Sequence, residues 1–235
     1  CADGNGRQHA YGFGLLYYFE LILLHLGAYF LFLHKPSHHL ILWTILLVGP
    51  FAASLTDSTP HAIRSLMMLP GFILLSAAGT TIILRKYSIK KFPLMYFASL
   101  LVAILNIFYY LNLYYVVTPH QYADQWQYGY KQMIQKITPL ENQYDQIIVT
   151  SLYDQPHIFF AFYQKIDPKE YQQFAETASQ GFSKYIFKRI DYQKDAANPN
   201  TLIVADPDST PTNIQPFDQV YLLNGQVAFN LISIP

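Results

Sequence analysis

The order of apolar and polar residues divides the chain near Val117. Before that point four long apolar runs alternate with short polar ones: Tyr11–Leu33, Leu40–Leu55, Ser65–Leu84 and Leu94–Val117. None has the two-residue period of a strand. A bilayer core ~30 Å thick needs about 20 helical residues, so these runs predict transmembrane helices. The second run is the shortest and contains Gly49 and Pro50. After Val117 the pattern becomes that of a soluble domain. Tyr122–Ile137 has helical spacing, with Trp126, Tyr130, Met133 and Ile137 on one stripe. Asp145–Ser151, Lys184–Ile190, Thr201–Ala205, Val220–Leu223 and Gln226–Ile234 read as strands, and Asn224-Gly225 reads as a hairpin turn. Pro156 and Asp167-Pro168 open two further helices. The expected fold class is therefore membrane all-α, about four transmembrane helices over residues 1–117, followed by an extracytoplasmic α/β soluble domain over residues 118–235.

Charge gives this picture an orientation. The formal net charge of zero conceals a basic first part, with seven Lys/Arg against three Asp/Glu, and an acidic second part, with eight against twelve. Arg85-Lys86-Tyr87-Ser88-Ile89-Lys90-Lys91 has four positive charges and no negative one, which places that loop in the cytoplasm. Alternation then puts His34–His39 inside as well. Residues 1–10, the loop Asp57–Arg64 and everything after Val117 fall outside, in a multi-pass protein of the plasma membrane. No clustered basic face points to nucleic acid. Cys1 is the single cysteine, so no internal disulfide forms. The chain lacks an initiator Met. Cys1 is either the lipidated first residue of a mature lipoprotein or, the favoured reading, the start of a fragment with further residues upstream.

Chemistry-bearing residues concentrate at the outer end of the apolar half. Glu20 and His25 fall inside the first apolar run, where an ionisable group is either hydrogen-bonded to a neighbouring helix or part of an aqueous cavity. Asp57 and Ser58 suit the cap of the next helix, and Pro60 suits its first turn. His61 and Arg64, three apart, share a helix face at the lipid–water boundary. That face is either an interface anchor or a phosphate site at a helix N-terminus. Arg7 and His9 belong to the same outer surface. In the soluble part, Ser151-Leu152-Tyr153-Asp154-Gln155-Pro156 follows a strand and opens a helix. That segment either lines a site or caps the helix through Asp154. His157 reads as a packed residue beside an aromatic run. No Walker motif, dinucleotide fingerprint, nucleophile elbow or zinc spacing occurs, so no metal or cofactor is expected.

Asp57-Ser58-Thr59-Pro60-His61-Ala62-Ile63-Arg64-Ser65, followed by Leu69-Pro70, resembles the DxPHAxRS…LP pattern of bacterial family-39 glycosyltransferases. These are relatives of the dolichyl-phosphate-mannose protein mannosyltransferases. Asp3-Gly4-Asn5-Gly6-Arg7-Gln8-His9, then Gly14-Leu15-Leu16-Tyr17 and Phe19-Glu20-Leu21, is similar to the family's GDGNPRHS…GxLYxxEL stretch. Gly6 stands where that pattern often has Pro, and Ala10 where it often has Ser. Tyr122…Trp126-Gln127-Tyr128-Gly129-Tyr130 and Tyr153-Asp154-Gln155-Pro156 resemble segments of the family's outer C-terminal domain. The resemblance implies a C-type glycosyltransferase that passes a sugar from a polyprenyl-phosphate donor to an acceptor on the outer face. Arg64, His61, Arg7 and His9 would hold the donor phosphate. The family's catalytic base belongs to a first outer loop that matches nothing here and is expected upstream, so this stretch alone is expected to be inactive. The implied partners are membrane lipid and the lipid-linked donor. The alternatives are a membrane-anchored outer domain that binds a glycan or a partner protein without catalysis, and a subunit of a transporter or assembly complex.

Overall fold

The computed structural model describes residues 6–14, 16–34, 39–55 and 63–235. Asp57, Ser58, Thr59, Pro60 and His61 lie outside the described residues, as does most of the 34–39 loop. The chain forms two compact units, Cys1–Pro119 and His120–Pro235.

The first unit contains α1 (Glu20–His34), α2 (His39–Val48), the single turn α3 (Phe51–Ser54), α4 (Leu69–Lys86), α5 (Pro93–Asn112) and the turn α6 (Thr118–Gln121), which runs just past the unit's end. Among the described residues two helices are long and apolar enough to cross a membrane: Leu66–Lys86, which adds a 3-10 turn to α4, and Pro93–Gln121, which joins α5 to α6 through a π-turn at Leu113–Val117. The other two expected spans come out shorter. α1 has 15 residues and α2 has 10, or ~22 and ~15 Å at about 1.5 Å per residue. α1 does not begin at Tyr11, because Gly12 sits at φ +68°, in the left-handed region that breaks a right-handed helix. Glu20 then opens the helix, its Oε2 accepting the Tyr17 N–H at 2.9 Å. α2 ends at Val48; Gly49 follows, its missing side chain leaving room for the Met68 side chain, and Pro50 precedes the next turn.

Glycine sets the packing of this unit. A Cβ on Gly27 of α1 would strike the Leu75 carbonyl, and one on Gly79 of α4 would strike the Leu23 carbonyl. The two backbones therefore meet directly, as membrane helices do where small residues face each other. Gly71 likewise admits Leu46 of α2. By contrast, α5 buries none of its residues, although nearly all of them are apolar.

The second unit is α/β. Its helices are α7 (Tyr130–Ile137), α8 (Pro156–Tyr163), α9 (Pro168–Gln173) and the turn α10 (Tyr192–Asp195). Its strands are β1 (Gln146–Thr150), β2 (Gly181–Phe182), β3 (Tyr185–Lys188), β4 (Thr201–Ala205), β5 (Asp218–Tyr221) and β6 (Val227–Ile234), in the order β2-β3-β1-β4-β6-β5. β1 runs parallel to both β3 and β4, while β6 is antiparallel to β4 and β5. The central strands are apolar at successive positions because both faces are covered. Ile147, Val149, Leu202, Val204, Phe229 and Leu231 share one core with Tyr130, Met133, Ile137 and Phe160. α7 begins at Tyr130, eight residues later than the spacing from Tyr122 suggests. Gln127 (φ 58°) and Gly129 (φ 107°) turn the chain there, and Trp126 ends up 55% exposed rather than on the helix stripe.

Candidate functional site

The expected outer-surface residues are distributed as follows. Arg7 is exposed, and Gln8 and His9 are half-buried. Arg64 is exposed in the turn that precedes the Leu66–Met68 helical turn. His61 lies outside the described residues, so its placement beside Arg64 stays an expectation. Glu20 is not mid-helix but the first residue of α1. His25 is one turn further on, its Nδ1 2.7 Å from the Leu21 carbonyl oxygen.

Of these residues, His9 lines a cavity. Gln8, His9, Ala10, Phe13, Tyr17 and Tyr110 are among the residues around a space of about 230 Å³. The Gln8 amide oxygen and both His9 ring nitrogens are buried from solvent. The opposite side is aromatic: Phe13 meets Tyr17, Tyr18 and Tyr110 edge-on at ring separations of 5.8, 5.2 and 5.3 Å.

The cavity is held by an irregularity in the long helix. At the π-turn the Thr118 hydroxyl donates to the Leu113 carbonyl (2.8 Å) and accepts the Tyr11 N–H (2.9 Å). A π-turn widens the helix by one residue and frees its groups to bond elsewhere, which is why such turns recur at functional sites. Here the Thr118 side-chain hydroxyl, seated on the Leu113 carbonyl, pins the segment that carries Arg7 and His9. Ala10 and Phe13 complete the anchor by packing on Leu113. The sequence marks Arg7 and His9 by residue type. It marks Tyr17 only as part of a motif and gives no sign of Thr118 or Tyr110, which the fold brings to the same place.

The second place singled out by the sequence, the carboxyl end of β1, turns out to be occupied by its own structure. β1 lies between β3 and β4, the position where crossovers diverge and where ligands often sit. There the buried Asp206 carboxylate accepts the Thr150 hydroxyl (2.8 Å), the Ser209 N–H (3.0 Å) and the Ser209 hydroxyl (2.9 Å). Thr210 donates to the Asp206 carbonyl and accepts from Asn230. Asp206 is thus hydrogen-bonded on both oxygens. Asp154 does not cap α8: Gln155 holds that position in a left-handed conformation, without a side-chain cap. The carbonyls of Tyr153 and Asp154 instead accept the Gln127 amide, at 2.6 and 3.0 Å. Burial, followed by Asp206, Asp124 and Asp208, pushes the Tyr153 phenol up to about 12. Tyr153 is therefore a neutral donor, facing the Ala228 carbonyl at 3.3 Å. Among the described residues no group of three or more His, Cys, Asp or Glu is placed to hold a metal ion.

No family model, curated protein or solved structure matches the chain.

Proposed function

We propose that the protein is a membrane glycosyltransferase that moves a sugar from a polyprenyl-phosphate donor to an acceptor on the outer face of the membrane. The observation that carries this reading is the two-sided cavity at the end of an apolar helix. Gln8 and His9 form its polar side, and Phe13, Tyr17 and Tyr110 its aromatic side. A polyprenyl phosphate has the same division, a hydrocarbon chain joined to a charged head. The ordered motifs from Asp3 to Pro156 point the same way.

In this reading the chain passes the membrane several times, and residues 118–235 are extracytoplasmic. His9 and Arg7 hold the phosphate, joined by Arg64 and His61. In the reaction the bond from the sugar's anomeric carbon to the phosphate oxygen breaks, and the phosphate keeps the electron pair. The acceptor oxygen forms the new bond and gives its proton to a base. Positive and hydrogen-bonding groups lower the barrier by stabilising the charge that grows on the departing phosphate. The base is a group of the kind that the resembling family has in its first outer loop, and no residue from Cys1 to Pro235 is assigned to that role.

The test is binding of a polyprenyl-phosphate hexose to the protein in native membranes, read by a photoreactive donor. Labelling should map to residues 7–17 and fall about tenfold or more in His9→Ala. Labelling that is absent, or unchanged in that variant, would overturn the reading.

A further inference from the structure

The His120–Pro235 unit contains a second cavity, remote in sequence from residues 7–17. Its volume is about 460 Å³, enough for two or three sugar rings. It opens between the end of α8, α9 and the β2–β3 hairpin. Two kinds of lining meet in it. Phe174 and Phe182 form an aromatic wall, stacked at 5.0 Å with only 22° between their planes. Beside it are hydrogen-bonding groups already joined in a chain, reached through Tyr185, the cross-strand partner of Phe182. The Tyr185 hydroxyl donates to Glu141 at 2.5 Å, and the Gln164 amide donates to the Tyr185 oxygen at 2.6 Å and to Glu141 at 3.4 Å. Glu170 adds a second carboxylate.

Charge narrows the ligand. Lys184 is the cation of this lining, and its ammonium is committed to the Glu141 and Tyr144 carbonyls at 2.8 and 3.1 Å. It serves the end of the Thr138–Gln143 helical turn and is not presented to an anion. With two carboxylates and a committed lysine, a phosphate or other anion is repelled. A neutral ligand that donates several hydroxyl hydrogens satisfies the carboxylate and amide oxygens. Its apolar face lies on the rings, as in pockets where an aromatic wall meets a few polar groups.

We propose that this cavity is a binding subsite for a neutral carbohydrate, with a pyranose C–H face on the Phe174 ring, which Phe182 backs, and hydroxyls on Glu141, Gln164 and Glu170. The proposal is independent of glycosyl transfer and of the donor cavity.

The experiment is saturation-transfer NMR on the whole protein in detergent. The probes are cellotriose, chitotriose and mannotriose at millimolar concentration, with mannose 6-phosphate and a lysine tripeptide as charged counterparts. At least one neutral trisaccharide should receive saturation on its ring C–H protons. Phe174→Leu keeps an apolar side chain but removes the ring, and Glu141→Gln keeps the shape but removes the charge. Each should weaken that signal about tenfold, while Tyr221→Ala, on β5, leaves it unchanged. A retained thermal transition shows that the variants are folded. The cavity is not a sugar subsite if no neutral trisaccharide is saturated, if mannose 6-phosphate or the tripeptide is preferred, or if both cavity variants bind as the parent does.

Discussion

His157 is where burial decides the chemistry of a single residue. It lies in the first turn of α8, with Nδ1 buried and without a hydrogen-bond partner, and its ring centre is 6.5 Å from that of Phe187. Burial lowers its pKa, and Asp154 opposes this only in part. The folded form thus binds its proton less readily than the unfolded chain, whose imidazole titrates near ~6.5. The stability it contributes is present above that value and is lost as pH falls through the lower folded-state value. Thermal unfolding measured from pH 8 downward should show this loss, and His157→Phe should flatten it. An equal slope in both proteins would assign the acid sensitivity elsewhere. Arg64 is tested by a different measurement. A clamp on a phosphate uses the planar fork of arginine, whereas an interface anchor accepts lysine. Losing a hydrogen-bonded charge partner costs roughly 2–5 kcal/mol, about 30-fold or more in affinity. Arg64→Ala should therefore weaken donor binding by that factor and Arg64→Lys by less, in protein shown to be folded. Unchanged affinity in both would leave Arg64 an anchor.

The elements differ in how far local sequence determines them. β1 and β4 are legible because both faces are covered, so every position from Ile147 to Thr150 and from Thr201 to Ala205 is buried, and most are apolar. The β5–β6 hairpin is legible because Gly225, at φ +83°, supplies the turn that Asn224-Gly225 announces. β2 has only two residues and depends on its pairing with β3, so no run of sequence declares it. The apolar runs of the first unit declare helix but not its ends, which Gly12, Glu20 and Gly49 set through conformation and contact. The candidate cavities are least legible, since Tyr17 and Tyr110, or Glu141 and Tyr185, meet only after folding. The α1–α4 crossing is testable at this scale. Filling a tight contact with one methyl typically costs ~1–3 kcal/mol. Gly27→Ala and Gly79→Ala should each lower the thermal midpoint in detergent, because each Cβ meets backbone rather than a movable side chain. Gly14→Ala, with nothing within 4 Å of the added carbon, should not. Equal effects at all three positions would mean that the crossing is not a close backbone contact.

For the whole molecule the governing feature is the short basic turn between the two longest apolar helices. Arg85 and Lys86 close α4, Lys90 and Lys91 precede Pro93 at the start of α5, and no acidic residue lies between them. Lys86 lies over the Tyr87 ring at 5.4 Å, the arrangement of a cation held beside an interfacial aromatic. Positive charge is retained on the cytoplasmic side during insertion, and a turn this short cannot lie far from the bilayer surface. If Leu66–Lys86 and Pro93–Gln121 both cross, everything after Gln121 emerges on the opposite side, carrying the acidic α/β unit with it. A reporter active only outside the cytoplasm should therefore be active when fused after Pro235 and silent when inserted at Tyr87. Replacing Arg85, Lys86, Lys90 and Lys91 together by Gln removes the orienting charge while leaving helix length and apolarity intact. That variant should show a mixed population, with activity appearing at Tyr87 and falling at Pro235. Activity at Tyr87 in the unaltered chain would reverse the orientation. It would place the α/β unit in the cytoplasm, where a lipid-linked sugar on the outer leaflet is out of its reach.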